Sequence, residues 1–304
     1  MKKILLLFGL ATMFTGCSND ETVELVQQSV INFSSLVNKN TTTDNLKNVW
    51  VYGWRSNSEG DTNQLFKGTE LTKQDGGDWT YSTLKYWEPG YKYAFEAIAP
   101  QNGTKGVTFT AAKDGGTVVF DNSIANAKVD LVYANLINKD YSLATYANLA
   151  NSKVSLTFNH LLSRVMFTFK NGLAAASNAK ISVSDVKITN AYSKGTVTPA
   201  KSATWTIEDN TNTLAVSFPA STTNALTDLE PTKSGVTEHK YFIPATNTSY
   251  QVTFTFKLDR GDGVTTTVSR TTTTPTMSMQ NGKNYNFVAE LSLDSIKFTV
   301  MLMR

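Results

Sequence analysis

The sequence predicts an all-β chain arranged as sandwiches or barrels, on three observations. Thr, Val, Tyr and Phe recur in short runs with period-2 alternation, and those runs are separated by clusters of Gly, Asn, Asp and Ser. Only the stretch Tyr141 to Asn151 has any helical character, and it is weak. Strands that short and that closely spaced bury a core by packing sheet on sheet.

Taken in order, Val49, Val51 and Gly53 alternate with Trp50, Tyr52 and Trp54, so one face of that strand is aromatic. Tyr91, Tyr93, Phe95 and Ala97 alternate with Lys92, Ala94, Glu96 and Ile98 until Pro100 stops the run. Val154, Leu156 and Phe158 share a face, as do Val165, Phe167 and Phe169 beyond a break at Asn159 to Arg164. Ile181, Val183, Val186 and Ile188 follow, with a phase change at Ser184-Asp185 that predicts a bulge or tight turn. The remaining alternating runs are Leu214 to Phe218, Tyr250 to Leu258, Tyr285 to Phe287 and Ile296 to Leu302. The chain's 304 residues suffice for one large domain or for two of roughly 130 to 150 residues. No internal repeat or long linker is present, so size and the break near Asn151-Ser152 place the boundary between an N-terminal domain, 29–151, and a C-terminal one, 152–304.

Composition narrows the function. With 40% hydrophobic and 17% charged residues the chain is globular, which excludes disorder and collagen-like repeats. It has 28 basic and 25 acidic residues, and removing a leader that contains Lys2 and Lys3 leaves 26 against 25. That balance argues against a nucleic-acid partner, since phosphate contacts need clustered Lys and Arg. Two His and one Cys do not make a His/Cys metal cage, a Cys-His nucleophile or a disulfide framework. No acid pair is recognisable either, so no catalytic residue, metal or cofactor is expected, and the protein is not read as an enzyme.

The first residues point to export. Lys2 and Lys3 form a basic region, and Ile4 to Met13 is apolar but too short to span a bilayer as a mature helix. Phe14-Thr15-Gly16-Cys17 then resembles a bacterial lipobox, which makes 1–16 a lipoprotein signal peptide and Cys17 the lipid-attachment residue. Several acyl chains hold a protein firmly, at about 0.8 kcal/mol per buried CH₂. The lipobox resemblance implies sorting to the outer membrane through Ser18, and Asp20 and Glu21 in the tether, 17–28, resemble the acidic signal of surface-displayed lipoproteins.

Along the rest of the chain the order of motifs resembles the fimbrillin-like family, the surface-lipoprotein subunits of type V pili. The shared elements are Cys17 to Glu21, Val30-Ile31-Asn32-Phe33, Val49 to Gly53, Trp79-Thr80-Tyr81 and Tyr86-Trp87 before Tyr91 to Ala97. They continue with Asp130 to Ala134, Leu156 to Val165, Tyr241-Phe242-Ile243-Pro244, Tyr285-Asn286-Phe287 and Ile296 to Val300. The resemblance implies two transthyretin-like β-sandwich domains in tandem, a cell-surface place in the fimbrium, and other pilus subunits as partners in a homo- or heteropolymer. It also implies donor-strand exchange, in which a protease removes the first strand and a strand from a neighbouring subunit fills the groove. A host or bacterial surface ligand is a further partner for an adhesive subunit.

A donor strand must be apolar on one face and free at a terminus, because an emptied groove carries unpaired N–H and C=O groups as well as hydrophobic surface. Ile296, Phe298, Val300 and Leu302 fit, with Lys297, Thr299, Met301 and Met303 on the opposite face. Burying four such side chains is worth at most roughly 6 to 12 kcal/mol before ordering costs. The same strand could equally be an ordinary last strand of its own domain. In the family the cut commonly follows an Arg after the first strand; Asn38 to Asn45 holds no Arg, and its one basic residue, Lys39, is the candidate processing position. The ending Met301 to Arg304 is shorter than the tails of stalk subunits, which favours a tip or anchor role.

Other motifs read as structure. Arg260-Gly261-Asp262, Asp75 to Asp78 and Asp114 to Gly116 are expected to be turns. His160 is expected to be a hydrogen-bonded core or turn histidine, and His239 to be solvated. Asp294-Ser295-Ile296 resembles a short bacterial O-glycosylation acceptor. The indoles of Trp50, Trp54, Trp79 and Trp87 are expected in the core, but exposed they would make a sugar-stacking platform. The alternative function is therefore a surface glycan-binding lipoprotein that does not polymerise.

Overall fold

A computed structural model describes residues 29–37, 46–75, 77–140, 149, 152–208, 213–292 and 296–303. The chain runs through β1 (Asn32–Val37), β2 (Asn48–Ser56), β3 (Thr62–Lys73), β4 (Trp79–Thr80), β5 (Lys92–Ala99), β6 (Val107–Thr110) and β7 (Thr117–Asp121). After one helical turn, α1 (Asn122–Ala125), come β8 (Val132–Asp140), β9 (Lys153–His160), β10 (Ser163–Asn171), β11 (Lys180–Tyr192), β12 (Lys194–Thr198) and β13 (Ser202–Ile207). The last strands are β14 (Thr213–Ser217), β15 (Ser234–Val236), β16 (Lys240–Phe242), β17 (Gln251–Asp259), β18 (Thr265–Thr273), β19 (Asn284–Leu291) and β20 (Ile296–Met303). The all-β expectation holds. The weak helical stretch lies almost wholly outside the described residues; Leu149, its one described position, is buried.

The first sheet has the order β1-β9-β8-β5-β2-β3-β4. It curls until its ends meet, where the Ile31 N–H donates to the Lys85 carbonyl at 2.8 Å and the Trp87 N–H to the Ser29 carbonyl at 2.8 Å. The inward face collects Val49 and Val51, Phe66, Tyr93 and Phe95, and Leu156 and Phe158. Gly53 belongs to that face because the interior has no room there: a Cβ would stand 2.8 Å from the Phe95 ring and 2.9 Å from Phe66.

The outer face of the same sheet is covered as well. A second sheet, β13-β12-β7-β6, lies over it and encloses Ile98, Phe109, Phe120, Tyr133, Val197 and Trp205. The aromatic face expected on β2 looks this way, with Tyr52 edge-on to Phe109 at 5.1 Å. Strand β5 is therefore buried on both sides along nearly its whole length. Glu96, on its outer side, is 0% exposed and is held by the Gly116 and Ala112 N–H groups and by the Tyr133 hydroxyl at 2.6 Å. Burial pushes its carboxyl above the usual carboxylate range, and the three donors oppose that rise without cancelling it.

A raised folded-state value means that the Glu96 contribution to stability is complete below the unfolded value and is lost as pH rises through the folded one. Denaturant melts of the wild type and Glu96→Gln from about pH 4 to about pH 8 should show the wild type losing stability relative to the variant as the acid ionises. A difference that stays flat, or grows with pH, would contradict that sign.

The remaining strands form a sandwich. One sheet is β15-β10-β19-β20, with β16 also on β10, and the other is β14-β11-β17-β18. Between them lie Phe167 and Phe169, Ile181 and Ile188, Val252 and Phe254, and Phe287. The phase change at Ser184-Asp185 is a bulge: Asp185 has φ 54° and the register with β17 slips between Ser184 and Lys187. Strand β9 follows the boundary expected at 151/152 yet completes the first sheet, and the β12–β13 hairpin returns from the later half to pair with β7, Gly195 opposite Phe120. The sheets thus share strands across that position.

Candidate functional site: the first and last strands

The first strand lies in a groove of the curled sheet. On one side β1 forms a parallel ladder with β9, from Asn32 opposite Lys153 to Val37 opposite Phe158. On the other side, regular pairing is replaced by the two backbone bonds to Lys85 and Trp87 and by the Tyr81 hydroxyl, which donates to the Ile31 carbonyl at 2.8 Å. Ile31 and Phe33 are buried inside the curled sheet. The Phe33 ring stands edge-on to Phe66, Tyr81 and Phe95, with centroids 5.4, 5.9 and 5.7 Å away. Such edge-to-face contacts add to the area buried. Below this cage Trp87 packs on Tyr93 at 4.8 Å, and burial pushes the Tyr93 phenol up to about 12.

The last strand sits at the edge of the later sandwich. β20 pairs antiparallel with β19, Leu291 opposite Ile296 through Asn284 opposite Met303, and among the described residues its other side has no strand partner. Ile296, Phe298 and Val300 reach the core only in part, whereas Phe287 and Ala289 next to them are fully buried. Leu302, the fourth of the expected apolar row, runs past the core and is 59% exposed beside exposed Met301. The row is thus seated in its own subunit at three positions and open at the fourth. Cys17 and Lys39 lie outside the described residues, as do positions 294 and 295 of the glycosylation-like tripeptide.

The other expectations resolve as structure. Trp54, Trp79 and Trp87 are 8%, 7% and 0% exposed and Trp50 is half-buried, so these indoles offer no shared open face for a sugar. Arg260-Gly261-Asp262 turns the β17–β18 hairpin, with the Gly261 N–H donating to Asp259 Oδ1 at 2.9 Å. Gly77 and Gly115 close turns on Gln74 and Ala112. His160 Nδ1 lies 2.7 Å from Asp130 Oδ1, and exposed His239 accepts from Arg164 Nη2 at 2.9 Å. Among the described residues no cluster of three or more His, Cys, Asp or Glu is placed to hold a metal. The residues that anchor the first strand, Tyr81 and Phe66, were not singled out from sequence for that part; Phe66 lies in β3 and Tyr81 just after β4, and their convergence on Phe33 follows from the curl of the sheet.

Comparison with known proteins agrees with this architecture. A fimbrial protein from Bacteroides vulgatus ATCC 8482 superposes with a TM-score of 0.68 at 18% identity, covering 90% of this chain and 98% of its own. A candidate cell adhesion protein from Bacteroides uniformis ATCC 8492 gives 0.55 at 16% identity, with 91% and 98% covered. A third chain, a candidate cell adhesion protein from Bacteroides ovatus ATCC 8483, gives 0.51 at 12% identity, with 90% and 96% covered. At these identities the likeness is one of fold. No curated protein matches the sequence. The family model described as fimbrillin-like matches residues 36–301, nearly the whole described chain, and the protein therefore belongs to the fimbrillin-like family.

Proposed function

We propose that this protein is a structural or adhesive subunit of a type V pilus, exported as an outer-membrane lipoprotein through Cys17 and assembled at the cell surface by donor-strand exchange. The observation that carries the reading is the mounting of β1: a regular ladder along β9, two backbone bonds at the preceding Ser29 and Ile31, and Phe33 in an aromatic cage. A cut just after the strand, with Lys39 the candidate position, frees the segment that ends in β1. Its departure uncovers the β9 edge from Lys153 to Phe158 and the pocket of Phe66, Tyr81 and Phe95. An incoming strand with an apolar residue at every second position satisfies both, because its backbone completes the ladder and its side chains enter the pocket. β20 supplies that pattern from an edge position, held by one neighbour and incompletely buried. Catalysis has no part in this reading.

The chain from Ser18 onward, treated with a limiting dose of a trypsin-like protease, should be cut once between residues 38 and 47. A ladder of oligomers should then appear on a non-boiled gel and vanish when residues 296–304 are removed. A chain that is cut there and remains monomeric would exclude assembly by this route.

A further inference from the structure

Away from both terminal strands, a cleft of about 670 Å³ opens between the end of α1, the bulge of β11, the end of β14 and β16. Its charge is unbalanced: Lys128, Lys187 and Lys240 line it against a single carboxylate, Asp185. Lys240 is only 5% exposed, and among the described residues its side chain makes no hydrogen bond or ion pair. Burial pulls its pKa down and repulsion from nearby Lys128 pulls it further, while Glu238 opposes both. An ammonium largely withdrawn from water and without an ion pair among the described residues is costly, and a bound anion offsets that cost.

Both walls are built from irregular backbone. Lys128 follows Asn126 and Ala127, which have φ of 54° and 51°. Ala127 is buried, and it is held there by its N–H on Asn122 Oδ1 at 3.1 Å and by its carbonyl, which accepts from the Tyr241 N–H at 2.9 Å. The opposite wall is the bulge at Asp185, also at positive φ. A left-handed conformation at a non-glycine residue persists only where surrounding contacts enforce it, and such positions concentrate at binding sites. The cleft has the volume of a small-ligand site, and Ser184, Ser217 and Thr227 add polar groups to its lining. Asp185 disfavours a polyanion but can accept hydrogen bonds from hydroxyl groups.

We propose that this cleft binds a monosaccharide-sized acidic sugar, its carboxylate between Lys128 and Lys240 and its hydroxyls toward Asp185 and the Ser and Thr side chains. The inference does not depend on polymerisation and is tested on the full, uncut chain. Titration calorimetry with glucuronate should give saturable binding. Glucose, which lacks the charge, and sulfate, which lacks the ring hydroxyls, should each bind at least about tenfold more weakly. Lys240→Gln and Lys128→Gln should each weaken glucuronate by at least about tenfold, while Lys67→Gln on β3 leaves it unchanged. Lys128 is exposed, so its variant keeps the test decisive if the buried substitution disturbs folding. Absence of saturable binding, sulfate binding as tight as glucuronate, or affinity indifferent to Lys128→Gln would each overturn the proposal.

Discussion

Replacing Phe33 by Ala is expected to destabilise the native position of the first strand by about 3–5 kcal/mol, the usual cost of emptying a buried phenylalanine site. The ring is in contact with three aromatic neighbours at once, and the cavity cannot collapse easily because Phe95 is paired on both sides, by β2 and β8, and Phe66 is held in the ladder with β2. Most of the loss should appear as local release of β1, since the strand has one regular ladder and the sheet behind it keeps its own pairing. Cleavage between residues 38 and 47 should then accelerate by roughly two to three orders of magnitude, following the population of the released state. If the cut rate is unchanged while global stability falls, release of the strand is not a separate event.

The second large effect is expected at Trp205. Its indole is buried in the layer between the first two sheets, beside Phe120 with centroids 6.4 Å apart, and its N–H donates to the Leu161 carbonyl at 2.9 Å. Trp205→Ala removes that packing, worth about 3–5 kcal/mol, and leaves a buried carbonyl unpaired. Because β13 comes from the later half of the chain and Leu161 joins β9 to β10, the damage falls where the sheets are joined. Denaturant unfolding followed by circular dichroism should show a midpoint lowered to match. Trp205→Phe, which keeps an aromatic ring but not the N–H, should recover part of the loss. Equal losses in the two variants would mean that the hydrogen bond, and not the packing, is the larger contribution.

Strands with an apolar alternation were legible without the structure. Each of the runs at Val49, Tyr91, Val154, Val165, Ile181 and Tyr250 falls on an observed strand, and the bulge at Asp185 lies where the phase changes. Strand β18 was not legible, because Thr-rich Thr265–Thr273 is almost wholly exposed at a sheet edge and carries no apolar period. The β12–β13 hairpin was missed for a different reason: its partners, β7 and the outer face of the first sheet, lie some 80 residues earlier in the chain. The aromatic face of β2 was visible as a pattern, but a pattern does not tell a sugar platform from a face covered by a second sheet.

By itself the sequence determined that the chain is all-β, where most strands run, and that its motif order is that of the fimbrillin-like family. Those properties reside in local alternation, turn residues and the order of short motifs, all of which are written along the chain. Only the tertiary structure decided that the first sheet curls closed around Phe33, that Glu96 is buried, that Leu302 runs past the core, and that Lys128 and Lys240 line one cleft. Each depends on which strands become neighbours. That choice is made by burying whole faces against one another across long sequence separations, and period-2 alternation carries no information about the partner.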